Sequence, residues 1–174
     1  MTDLIALAKE CGFDEAGVLD VATLEVKPMV RDTCASDKCH AYDHNWTCPP
    51  ACGTLEECEA EMRKYEHGII VQCVGRMEKR IDTKCYYETG RRLAVAIRKM
   101  REEVEKEYPD VLALGAGGCV ICKECAYPEP CRFPDKAISS MEAYGLFVTS
   151  VCRDNGMNYY YGPKTIAYTG CILY

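Results

Sequence analysis

Gly68-Ile-Ile-Val-Gln-Cys-Val-Gly75 is an apolar run closed at each end by a glycine, the pattern of a strand whose two faces are both covered. Upstream of it, Thr54-Leu-Glu-Glu57 matches a capping box, in which a hydroxyl and a carboxylate satisfy the free amides that open a helix. Leu55, Cys58, Met62 and Tyr65 then share one helical face as far as His67. Downstream, a long helix is predicted over 85–108, with Leu93, Ile97, Met100 and Val104 inward and Pro109 as its stop. Further out, Thr2 is placed to cap a first helix with Leu4, Leu7, Ala8 and Cys11 on one side and Gly12 at its end. Residues 16–21, 111–116 and 166–174 read as strands. Ser139 and Glu142 form a second capping box, opening a helix with Met141, Tyr144, Val148 and Val151 on one side. Residues 27–53 read as irregular, and 117–134 as a second loop. The expected fold is α+β: one domain over 1–174, a small mixed sheet packed by about four helices, with two cysteine-rich loops meeting at one end.

Both loops are dense in cysteine, and the chain has 14 cysteines in 174 residues. The N-terminal stretch carries Asp3 and Glu10 and lacks a basic start followed by an apolar core, so it does not read as an export signal. No apolar run approaches the ~18 residues that cross a bilayer. The expected location is therefore cytoplasmic and off the membrane, where thiols stay reduced unless a metal holds them. A net charge of −6, from 21 basic and 27 acidic residues, repels phosphate backbones, so no nucleic-acid partner is expected. The basic run of Arg91, Arg92, Arg98, Lys99 and Arg101 passes into Glu102, Glu103 and Glu105, and reads as a solvated helix face.

The sharper cysteine pattern is Cys119-Val-Ile-Cys122-Lys-Glu-Cys125, followed by Cys131. Three thiolates at this interval can point at three irons of one cube, whereas zinc sites tend to use two separated Cys-x-x-Cys pairs. The interval to Cys131 is longer than in bacterial ferredoxins, and the proline comes three residues later, at Pro134. Cys131 can thus serve this centre or the other one. The first group, Cys34-x4-Cys39-x8-Cys48-Pro-Pro-Ala-Cys52, is less regular, and its Cys48-Pro49 step resembles those beside iron–sulfur clusters. Zinc remains the alternative at both groups. His40 and His44 lie within the first and read as exposed or supporting residues. Trp46 and Tyr42 read as a shield against water. Cys73, Cys85, Cys152 and Cys171 stand alone and, like Cys11 and Cys58, read as small core residues. Tyr159-Tyr-Tyr161 reads as an aromatic loop packed on the core.

With these motifs in view the chain resembles the cysteine-rich predicted metal-binding family catalogued as domain of unknown function 2284. The likeness runs through Cys34, Cys39, Tyr42, Trp46-Thr-Cys48-Pro-Pro50, Gly115-Ala-Gly-Gly-Cys119, Cys122, Cys125, Cys131-Arg-x-Pro134 and Ser140-Met-Glu-Ala-Tyr-Gly145. It implies metal binding, of the iron–sulfur type. It also implies that the position of Cys52 need not be cysteine, leaving Cys131, Cys58, a histidine or an exogenous molecule as the fourth ligand of the first site. The opening Ala-Lys-Glu-Cys-Gly-Phe-Asp-Glu-Ala-Gly-Val-Leu-Asp of residues 8–20 is similar to the start of corrinoid-dependent iron–sulfur reductases, which are much longer chains. The expectation is an oxygen-sensitive protein with two [4Fe–4S] clusters that passes single electrons to a redox partner protein. An enzyme with an open iron and a zinc-organised adaptor are the alternatives. No Gly-rich nucleotide loop is present.

Overall fold

The computed structural model describes residues 2–174. Its central strand β2 (Gly68–Arg76) is the apolar run and pairs along its length with β4 (Thr165–Leu173). β1 (Glu15–Leu19) flanks β2, and β3 (Leu112–Leu114) flanks β4, giving the order β1-β2-β4-β3. Every pair is antiparallel, where a mixed sheet was expected. The reason lies in the last strand. β4 enters between β2 and β3, so these two run the same way without ever touching.

Among the described residues five α-helices accompany the sheet. α1 (Leu4–Cys11) and the long α4 (Thr83–Val104) cover one face. Side chains alternate along a strand, so Ile69, Val71 and Cys73 meet Ala8, Leu93, Ile97 and Met100 on this side. Ile70 points the other way, to Leu114, Cys171, Leu173, Met62 of α3 (Leu55–Met62) and Val151 of α5 (Val148–Asp154). Burial on both faces explains why β2 reads as continuously apolar. Its one buried polar member, Gln72, is fully used: Nε2 donates to Thr169 Oγ1 (3.0 Å) and Asn158 O (2.9 Å), and Tyr161 Oη donates to Oε1 (2.6 Å). Tyr161 is therefore tied to the core, while Tyr159 and Tyr160 face outward.

Three local expectations are corrected. Asp3, rather than Thr2, caps α1, its carboxylate accepting from the Ile5 and Ala6 amides. The segment expected to be wholly irregular contains α2 (Pro28–Ala35), seeded by Pro28 in the first turn, where its fixed φ suits a helix. It buries little beyond Val30, so hydrophobic periodicity did not mark it. The second capping box opens no helix. Met141 N is committed to Gly115 O (2.9 Å), and Ser140 Oγ accepts from Ala143 N (3.0 Å) in a turn, so α5 starts only after Phe147.

These turns anchor both cysteine segments. Gly115 N donates to Ser139 O (2.8 Å), which with the Met141 bond closes the second loop into an excursion from one point. Lys27 N donates to Gly145 O (2.7 Å), and Val26 bridges Leu146, so the first segment leaves from the same ribbon. Gly145 sits at φ +75°, and a Cβ there would lie 2.5 Å from Leu55 Cδ2. Only glycine serves the junction without strain.

Candidate metal centre

Cys34 is held on α2. Asp37, His40 and Asp43, all with left-handed φ, coil the chain around Cys39, and Asp37 Oδ1 accepts from Tyr42 N (3.1 Å) to fix the turn. Asp tolerates this conformation better than most residues. Cys48 lies buried after a turn closed by Cys48 N to Asn45 O (3.0 Å), and Cys52 follows with its amide on Cys48 O (3.1 Å). His40 is 89% exposed at its side chain and His44 is exposed too, so neither is gathered with the thiols.

The second group is more closely gathered. Cys119, Cys122, Cys125 and Cys131 are all half-buried and line one cavity, walled by Asn45 and Trp46 of the first loop. Burial, then the neighbouring Cys131, Cys122 and Cys125, push the Cys119 thiol up. Trp46 closes over the site: its Nε1 donates to Glu129 O (2.8 Å) and its ring meets Tyr127 edge-on at 5.1 Å.

The two loops are latched together by buried polar groups. Asn45 Nδ2 donates to Cys119 O (3.2 Å), Asn45 Oδ1 accepts from Thr47 N and Oγ1 (3.0 Å each), and Cys119 N donates to Thr47 Oγ1 (3.1 Å). Gly118 packs against the first loop at this point: a Cβ there would lie in ordinary contact with Cys48 Sγ at 3.5 Å. Burial raises the Cys48 thiol to about 11, opposed by the Thr47 hydroxyl and reinforced by Cys39, Cys34 and Cys119. Cys34, Cys39 and Cys48 thus sense one another, and Cys48 senses the second group. Among the described residues no three Cys, His, Asp or Glu side chains close on a point that would hold a single ion.

Residues 17–174, which take in both groups, match the family described as predicted metal-binding protein (DUF2284). The chain belongs to this family. Neither the curated proteins nor the solved structures yield a match. Among the described residues no helix of this DUF2284 protein is long and apolar enough to cross a membrane.

Two residues of the DUF2284 site, Arg31 and Glu142, escaped the sequence reading, and Cys58 entered it only as a core residue or an alternative ligand. Arg31 of α2 anchors to Ala143 O (2.7 Å) and Gly53 O (2.9 Å) and turns its guanidinium to Cys58 Sγ (3.3 Å) and Cys52 Sγ (3.7 Å). Cys58 is buried, as its helical spacing predicted, but its sulfur belongs to this pair rather than to the apolar core. The Cys52 thiol is raised chiefly by its hydrogen bond with Cys58. Cys58 is lowered by the same bond and by Arg31. Cys52 thus turns to Cys58 and Arg31, and of the other thiols of its group it is Cys48 that acts on it. Glu142 is the second missed residue. Its Oε2 is shut off from solvent and, alone among buried side-chain N and O atoms of the described residues, has no hydrogen-bond partner. Burial raises its carboxyl against hydrogen bonds from its own amide and Ser140, and burial, then Glu142, raises the Cys34 thiol. Arg31 signals nothing in sequence. Glu142 had a signal, since it lies within Ser140-Met-Glu-Ala-Tyr-Gly145.

Proposed function

We propose that this protein holds two [4Fe–4S] clusters and passes single electrons through them to a redox partner protein. Cys119, Cys122, Cys125 and Cys131 hold the second, and Cys34, Cys39 and Cys48 hold the first, with Cys52 as the remaining thiol of that group. The observation that carries the reading is the convergence of four thiols on one cavity with Cys48 of the other group beside them. Donors of this kind suit iron–sulfur chemistry, in which each thiolate takes a separate iron, as well as or better than a single zinc ion. When bound, such centres supply one-electron chemistry. The protein's part is to keep water out with Trp46 and to hold the two groups adjacent through Asn45 and Thr47.

The test is EPR of anaerobically purified protein during stepwise reduction. Two paramagnetic centres appear, each broadened by the other. A silent spectrum with bound zinc would replace this reading by the adaptor one.

One observation favours an enzyme with an open iron as the second reading. A groove of about 500 Å³, lined by Tyr86, Arg91, Arg98, Val120 and Tyr168, runs along α4 to the Gly117-Gly118 approach of Cys119. This volume is in the range of small-molecule sites. A shift of the visible or EPR spectrum on adding small anions would select it.

A further inference from the structure

α4 carries six basic residues, and four of them are tied down. Arg92 pairs with Asp14 (2.8 Å), Arg101 with Glu105 (2.6 Å) and Lys84 with Glu88 (3.9 Å), while Lys99 donates to Glu10 O (3.0 Å). The two left over, Arg91 and Arg98, have no ion pair or hydrogen bond among the described residues, and both line the groove of about 500 Å³. They stand two helical turns apart, ~10 Å along the axis. Tyr86 and Tyr168 give the groove aromatic walls at one end, and Tyr168 lies against Gly90, where a Cβ would sit 3.7 Å from its ring. At the other end the wall is backbone. The amides of Ala116, Gly117 and Gly118 make no hydrogen bond among the described residues. From there a smaller cleft continues past Arg98 to Cys119 and to Lys136, whose ammonium is likewise unpaired.

No acidic side chain lines either cavity. Glu102, Glu105 and Asp135 share a neighbouring cleft with Arg98, and none of them forms an ion pair with it. In a chain of net charge −6, a concave surface that gathers cations alone is complementary to an anion. Its size is that of a small-molecule site rather than of a protein interface. Tyrosine faces accept a flat ring by stacking. Guanidiniums beside free amides suit an anion with many acceptor oxygens, and a phosphate monoester offers three where a carboxylate offers two. We infer that the groove binds a small phosphate monoester carrying a flat aromatic ring, with the phosphate between Arg98 and the 116–118 backbone and the ring among the tyrosines. Residues 115–118 lead into a cysteine loop and not into a helix, so side-chain cations rather than a helix dipole hold the phosphate. The bound ester lies beside Cys119 of the second thiol group. The inference names a ligand class for the groove, needs no open iron, and holds whichever metal the cysteines take.

The experiment is calorimetric titration of anaerobically prepared protein at low salt with two probes that share the phosphate and differ in the ring, flavin mononucleotide and adenosine 5′-monophosphate. Riboflavin and adenosine, which lack the phosphate, are titrated alongside. At least one ester should bind at or below about 1 mM, and about tenfold or more tighter than its phosphate-free form; which ester does so identifies the ring. Arg91 is exposed and Arg98 half-buried, and neither has a partner to lose, so Arg91→Gln/Arg98→Gln should fold normally and erase the advantage of the phosphate. Arg92→Gln/Lys99→Gln removes the same charge from residues outside the groove and should keep it. Tyr86→Ala should weaken an ester and its phosphate-free form alike. Failure of both esters to bind by about 1 mM, equal affinity with and without the phosphate, or equal losses in the two double variants would overturn the inference. Metal per chain is measured on the same samples. Bound metal without ester binding leaves the proposed function standing, and ester binding by a chain that takes up no metal overturns that function alone.

Discussion

Cys73 and Cys122 show how far residue type alone can mislead. Both are single letters in a cysteine-rich chain, yet Cys73 is fully buried in β2 against the α4 face, and Cys122 lines the cavity with three other thiols. Cys122→Ser should lose the second metal centre, and metal per chain should fall by half. Cys73→Ala should keep its full metal and cost about 1–3 kcal/mol in urea unfolding, as core truncations do. Burial also sets an alkaline limit. It pushes Cys73 from 9.0 to about 11 and Cys171 to about 12. Both stay neutral in the fold while the unfolded thiols ionise. Their contribution is fully present below pH 9 and is lost as pH rises through about 11 and then 12. The urea midpoint should fall across that window, and less steeply in Cys171→Ala. Spacing made the two cysteine groups legible, because ligand intervals are local. The environment of Cys58 was not, since helical spacing reports inward or outward but not the guanidinium waiting there. Glu142 was misread for a related reason: a hydroxyl and an acid three positions apart look alike in a capping box and in a turn.

β2, β4, α4 and the capping box of α3 were readable because each carries a strong periodicity or a reciprocal pair of cap bonds. α2 was not, since it buries one side chain and exists to present Arg31 and Cys34. The cysteine loops are joined by side chains that no periodicity predicts. Asn45 by itself bonds Cys119 O and both the amide and the hydroxyl of Thr47. Asn45→Ala should cost about 1–3 kcal/mol, the penalty of leaving buried partners unsatisfied, and should raise amide exchange in both loops together. A Thr47 effect limited to the first loop would show that the latch does not couple them. Removing metal by chelation should strip protection from 36–53 and 117–134, whose backbone bonds are mainly turns, while β2 and β4 stay protected by their full ladder.

At the scale of the molecule the fold is a four-stranded antiparallel sheet with its cysteine segments rooted on one ribbon, residues 139–146, beyond β3. The α+β class followed from element order. The antiparallel sheet did not, because nothing in β4 announces that it will lie between β2 and β3. That insertion matters, because β3 then hands the chain directly to Gly115 and the second loop, opposite the point where Lys27 starts the first. Two loops far apart in sequence thereby bring Cys48 against Gly118. Iron, acid-labile sulfide and zinc measured per chain on anaerobically purified protein decide whether this junction holds two iron–sulfur cubes. Two cubes require about eight iron and about eight sulfide with no stoichiometric zinc. One or two zinc per chain without sulfide would contradict that reading.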